Sequence, residues 1–251
     1  MCVARATAAT DASWCANTNN ARIENAGEIS PAFFLVRPTP RPRPETTVKD
    51  LYVVTHPQSV HHVENKVGGW YDTGLTEQGE RAAAAAAARL FAQIGDNDVE
   101  IFSSDLKRAA QTAAAIGTRF QRPVTETMAL REISYGVAEG RAQEWLDARY
   151  VPASDHDRLD HKGGIEGAES RRDVAMRVYP YVDAIIARAC ATQIVVTHGF
   201  TLSLVIAAWM KVPVEACGFV AYSAPSGSIT HLRQDDFFRN RAMVSFADIC
   251  H

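Results

Sequence analysis

Gln193-Ile-Val-Val-Thr-His-Gly-Phe200 sets three β-branched apolar residues in a row before a threonine, a histidine and a glycine. A strand with one wet face alternates polar and apolar positions, whereas an unbroken apolar run marks a strand covered on both faces, as in the parallel sheet of an α/β protein. Leu51-Tyr-Val-Val-Thr-His-Pro-Gln-Ser59 repeats the pattern and again closes on Thr-His. Glu100-Ile-Phe-Ser-Ser-Asp-Leu-Lys-Arg-Ala-Ala-Gln-Thr-Ala113 is a third strand exit with an arginine just beyond it. In open α/β sheets ligands bind outside the carboxyl ends of the strands. The three exits therefore predict that His56, Arg108 and His198 meet in one crevice suited to an anionic group, phosphate above all.

Around these strands the chain alternates further elements. Leu75-Thr-Glu-Gln-Gly79 offers Thr76 as the cap of a helix through the seven alanines 82–88, whose small side chains predict close packing. A strand near 99–102 leads to Ser103-Ser104-Asp105, a helix start with capping hydroxyls, and a helix to Phe120. Helical signals recur near 142–149, 168–189 and 201–210, and two late strands are expected near 218–222 and 228–232. The fold class is α/β: a three-layer α/β/α sandwich with a mostly parallel central sheet, in one domain over 48–251. Residues 1–30 lack an apolar period and Arg37-Pro-Thr-Pro-Arg-Pro-Arg-Pro44 alternates proline, so 1–47 are expected to form a disordered tail and an extended Pro/Arg linker.

Composition narrows the function. The 251 residues are 47% hydrophobic and 22% charged, enough for one large core. A net charge of −3 argues against a nucleic-acid face, which needs clustered cations. Five cysteines without a CxxC spacing point away from disulfides and zinc ribbons and toward a reducing cytoplasm. No apolar run approaches the roughly 18 residues of a membrane span. His61-His62-Val63-Glu64 and the 155–161 loop match no metal-ligand spacing, so no metal or cofactor is expected; that loop belongs to a segment, 150–167, placed as a cover over the substrate.

Taken in order, THPQS, GWYDTGLTEQG, SSDLKRAAQTA, LREISYGVAEG, GAES and VVTHG resemble the motif set of the histidine phosphatase superfamily, phosphoglycerate mutase-like branch 1, from about residue 50 to 232. The resemblance implies a phosphoglycerate mutase-like fold and an enzyme acting on a small phosphorylated substrate without a cofactor. It implies that His56 is the nucleophile forming a phosphohistidine, that Arg108 and His198 bind the phosphoryl oxygens, and that Glu132 is the proton donor, with Glu139 and Glu144 as nearby competitors. Phosphoryl transfer asks for this set: positioning and charge stabilisation carry most of the catalysis, and a covalent intermediate divides one displacement into two. Glu169 and Ser170 match a helix start and are read as structural; Trp70 and Tyr135 stand between pocket mouth and core.

Two departures bear on activity. The family's Arg-His-Gly triplet is Thr55-His56-Pro57, which removes one phosphate-binding arginine, and the usual asparagine six residues on is His62. An uncompensated charge-assisted hydrogen bond is worth about 1.5–3 kcal/mol, or roughly 10–150-fold in rate. His62, or His61 beside it, is expected to compensate by donating to phosphate when protonated, with activity rising toward mildly acidic pH. Phosphatase activity is the first reading. The alternatives are a phosphoglycerate mutase, a degenerate member that binds a phosphorylated ligand or a protein partner without turnover, and a metal-dependent hydrolase.

Overall fold

Alternating residues of each central strand face opposite layers of core. In the computed structural model, which describes residues 48–249, β1 (Lys49–Thr55), β2 (Val99–Ser104), β3 (Val124–Thr127) and β4 (Thr192–Thr197) run parallel. β5 (Ser228–Gln234) pairs antiparallel with β1, and β6 (Arg241–Ile249) antiparallel with β5, giving the order β3-β2-β4-β1-β5-β6. Leu51 and Val53 of β1 join Val195 of β4 in one core, and Tyr52 and Val54 join Ile194 and Val196 in the other. This is the period-2 alternation of a strand buried on both sides.

Helices complete the sandwich. α2 (Glu77–Ile94) and α3 (Lys107–Phe120) cover one face, and α5 (Arg171–Ile186) and α6 (Gly199–Trp209) cover the other. Two short helices, α1 (Val60–Val63) and α4 (Gln143–Asp147), lie in the connections. Thr76 caps α2 by accepting the Gly79 N–H at 3.1 Å. Within the alanine block Ala83, Ala86, Ala87 and Leu90 are buried, the helical stripe that meets Ala109 and Ala113 of α3. Every residue of α6 from Thr201 to Trp209 is buried, so its all-round apolar sequence is that of a helix inside the core.

The expected sandwich is present, with local corrections. Residues 218–222 are no strand: Val214–Phe219 forms a helical turn after Pro213, since β5 already occupies the free edge of β1. β3 and β6 were not anticipated. α3 starts at Lys107 rather than at the serines; its first N–H goes to Asp72 Oδ1 at 2.7 Å, while Ser104 turns toward His198. The expected tail, residues 1–47, lies outside the described residues. Among the described residues no helix is long and apolar enough to cross a membrane.

Candidate active site

The order β2-β4-β1 sets the three exits side by side, with Thr55 level with Thr197 and Ser103 level with Val196. His56, Arg108 and His198 meet there, as the sequence predicts. His56 Nδ1 lies 2.8 Å from the Pro57 carbonyl, an acceptor that can only be served by an Nδ1–H. The ring proton is thereby fixed on Nδ1, and Nε2 keeps its lone pair and accepts from Arg108 Nε at 3.2 Å. Proline at 57 removes an N–H but retains the carbonyl that sets this tautomer. Burial first, and Arg108 second, hold the His56 pKa well below the ordinary imidazole value, so the ring is neutral and nucleophilic.

Arg108 is 1% exposed. Nη1 donates to the Tyr71 carbonyl at 3.0 Å and Nη2 to the Gly69 carbonyl at 2.7 Å, which fixes the fork against the GWYDTG loop. Gly69 has φ +57, and a Cβ there would lie 2.8 Å from Glu139 Oε1, so only glycine presents this carbonyl unstrained. Three of the five guanidinium N–H donors have protein partners, leaving two for a ligand.

His198 begins α6 and is fully buried, its ring centroid 5.0 Å from that of His56. Ser104 Oγ accepts the Leu106 N–H and shares a hydrogen bond with His198 Nε2 at 2.8 Å, in which either atom can donate. His198 Nδ1 is buried without a partner among the described residues. An orphaned buried polar atom costs about 1–3 kcal/mol.

Glu132, rather than Glu139 or Glu144, reaches the cavity of about 290 Å³ that His56 and Arg108 line. Its Oε1 accepts the N–H groups of Ile133 and Thr201, and Oε2 accepts only that of Phe200, at 3.0 Å, which leaves Oε2 spare capacity. Arg177, forked to Glu169, donates to the Glu132 carbonyl at 2.8 Å, and Trp70 Nε1 donates to the same carbonyl at 2.8 Å. Trp70 and Glu169 are thus braces behind Glu132. Glu139 is consumed by Trp70 N, Ser134 Oγ and Tyr135 N, and Glu144 bonds the exposed Asn65. Tyr135 lines the cavity, as do Lys66, Gln143 and Ser226, none of which the sequence singled out. Among the described residues no group of three or more His, Cys, Asp or Glu side chains is placed to hold a metal ion.

The histidine pair differs from expectation. His62 stacks on His56, centroids 5.5 Å apart, and its Nδ1 accepts the Ser59 N–H at 3.3 Å. The neutral ring therefore carries its proton on Nε2 and can donate without being charged. Burial and Arg108 lower its pKa, and His61, clasped by Ser59 and Thr73, is held down to about 3 by burial first and His62 next. The expected acid activation through a charged His61 or His62 does not fit this arrangement.

Stability, instead, should fall with acid. The unfolded rings protonate near 6.5 and the folded ones lower, so the unfolded chain binds more protons below about pH 6.5. The contribution is complete above that value and is lost as pH drops toward the folded-state values, by at most about 1.4 kcal/mol per pH unit for each fully buried ring, His56 and His198. Melting temperature is expected to decline from pH 7 to about pH 5; a flat profile contradicts it.

Thr55 supplies no cation. Its Oγ1 donates to the Pro225 carbonyl at 2.9 Å and accepts the Ser228 N–H at 3.1 Å, tying β1 to the 225–228 loop. Thr55→Val should cost about 0.5–1.5 kcal/mol in chemical denaturation, because it removes the side-chain bonds of the clasp and leaves the Ser228 N–H only the Pro225 carbonyl at 3.3 Å; an unchanged midpoint would refute the clasp.

A family model described as the histidine phosphatase superfamily (branch 1) matches residues 51–242. The chain belongs to that branch. A histidine phosphatase relative, the glucosyl-3-phosphoglycerate phosphatase of Mycolicibacterium vanbaalenii, is 32% identical over 67% of this chain and 77% of its own. The 2,3-bisphosphoglycerate-dependent phosphoglycerate mutase of Brucella ovis is 33% identical over 64% of this chain and 81% of its own. A solved mycobacterial glucosyl-3-phosphoglycerate phosphatase in complex with inorganic phosphate matches with a TM-score of 0.67 at 28% identity, covering 80% of this chain and 98% of that one. The fold is thus phosphoglycerate mutase-like, and the chain is a histidine phosphatase superfamily enzyme, of the phosphatase or mutase kind, in a family whose typical substrates are small phosphorylated molecules.

Proposed function

We propose that the chain is a phosphatase that hydrolyses a small phosphomonoester through a phosphohistidine on His56, at a rate reduced by the missing arginine. The observation that carries this is the His56 tautomer: Nε2 is unprotonated, buried and beside a guanidinium. Nε2 attacks phosphorus, the ester P–O bond breaks, and Glu132 gives its proton to the leaving oxygen. Water then attacks the phosphohistidine, passing a proton to Glu132; the P–N bond breaks and inorganic phosphate leaves. Two free guanidinium N–H groups of Arg108, the neutral Nε2–H of His62 and the imidazole of His198 behind them stabilise the phosphoryl oxygens. The glucosyl-3-phosphoglycerate phosphatases among its relatives favour hydrolysis as the outcome.

Glu132→Gln separates the acid from the nucleophile. For an alkyl ester, whose leaving alkoxide needs a proton, kcat/KM, which reports transfer to His56 and not the shared hydrolysis of the phosphohistidine, should fall by about 10²–10⁴-fold, and for p-nitrophenyl phosphate, whose leaving group needs none, by less than about tenfold. Equal losses on both esters would remove Glu132 from the acid role. A second reading, a ligand-binding member without turnover, has one observation in its favour, the Thr55 hydroxyl built into the 225–228 clasp. Phosphate release from p-nitrophenyl phosphate excludes it. Thr55→Arg should raise turnover if the pocket is merely short of a cation, and a lower rate would mean that the clasped loop is rebuilt for another ligand.

A further inference from the structure

The charges of the His56 cavity do not balance those of a phosphate. A phosphomonoester carries about −1.5 to −2 at neutral pH, and the buried Arg108 offers one positive charge. Thr55 offers none. The rings of His56, His61 and His62 are neutral, because burial holds all three below the ordinary imidazole pKa. Among the described residues that line the cavity, Arg108 and Lys66 are the two whose side chains stay cationic at neutral pH.

Lys66 is placed beside the histidine pair. Its N–H donates to the His61 carbonyl at 2.9 Å, and its backbone bridges Ala142 at the start of α4. Nζ lies 5.8 Å from the centroid of the Tyr71 ring, and the carbonyl of the same tyrosine accepts Arg108 Nη1. The two cations thus flank one residue of the GWYDTG loop. Nζ pairs with Glu64 Oε2 at 2.8 Å, and the two side chains are 36% and 43% exposed. Glu64 is the C-cap of α1 and does not line the cavity. An exposed ion pair contributes little, since water competes for both charges. A lysine on a flexible four-carbon stem can therefore exchange such a partner for a dianion at small cost.

We propose that Lys66 is the second cation of the phosphate pocket and binds a phosphoryl oxygen in place of the arginine missing at position 55. The inference rests on the reading that this cavity takes the phosphoryl group. Lys66 has to leave Glu64 and order its stem on binding, whereas a buried guanidinium is already in place. It restores the charge without the preorganisation, in keeping with a reduced rate.

Calorimetric titration with inorganic phosphate reads the pocket without turnover; phosphate release from p-nitrophenyl phosphate is scored on its own. Lys66→Met, which keeps the stem and removes the charge, should weaken phosphate binding about tenfold or more, the yield of one charge-assisted contact. Lys66→Arg should stay within about threefold of wild type. Glu64→Gln separates binding from architecture. If Lys66 serves phosphate, removal of the competing carboxylate should leave affinity unchanged or raise it by up to about fivefold. A pair that only shaped the loop would instead make Glu64→Gln as damaging as Lys66→Met. Unchanged binding in Lys66→Met, an equal loss in Lys66→Arg, a loss on Glu64→Gln, or no phosphate binding by the wild type would overturn the proposal. The expected binding effects without turnover of p-nitrophenyl phosphate would support Lys66 as the cation and sink the phosphatase reading alone.

Discussion

His56→Ala is expected to lower kcat on p-nitrophenyl phosphate by about ten-thousand-fold or more while the protein still melts cooperatively. Removing a covalent nucleophile leaves only the positioning and charge terms, and such losses are on the order of 10⁴–10⁶. The size of the effect follows from the site: among the described residues no other side chain both reaches the Arg108 Nε and has its tautomer fixed with Nε2 unprotonated. His62, stacked on the same ring, has the opposite tautomer, with a proton where His56 has a lone pair, and cannot substitute. Steady-state kinetics on the purified variant check this; a loss under about tenfold would mean that His56 is not the attacking group.

Arg108→Lys comes next in size. An ammonium is a point charge, whereas the guanidinium here bonds in three directions, to His56, Tyr71 and Gly69, and still presents two N–H groups. Lysine can reproduce the charge but not the fork. A fall in kcat/KM of about 10²–10³-fold is expected, as for loss of one preorganised charge stabiliser. Two carbonyls lose their donors as well, so the variant should also melt lower. Kinetics within about fivefold of wild type would show that the guanidinium is a structural tie between α3 and the GWYDTG loop.

Why these residues were legible in the sequence is a matter of burial. β1 and β4 lie in the middle of the sheet, so their positions are apolar without interruption, and the first polar residues after them sit at the carboxyl edge where ligands bind. Thr76 was readable for a similar reason: a cap is a local hydrogen bond. β6 was not, because as an edge strand it alternates half-buried and exposed residues of mixed polarity. The apolar run at 218–222 misled because it packs from a helical turn, with Phe219 exposed. Ser104 illustrates an ambiguity of type: a hydroxyl after a strand suits a helix cap and a histidine equally, and only the fold brings His198 to it. The Thr55 clasp and the Arg177 brace span 170 and 45 residues, and no local pattern announces either.

The central claim is that the phosphoryl group passes through His56 Nε2. Rapid acid-free quenching of the wild-type enzyme during turnover of a radiolabelled phosphomonoester, followed by peptide mapping, addresses it most directly. Label that is stable in alkali, lost in acid and located on the peptide holding His56 is the expected result. Phosphate release with no trapped label under conditions that trap an authentic phosphohistidine protein, or label on any other residue, would contradict it.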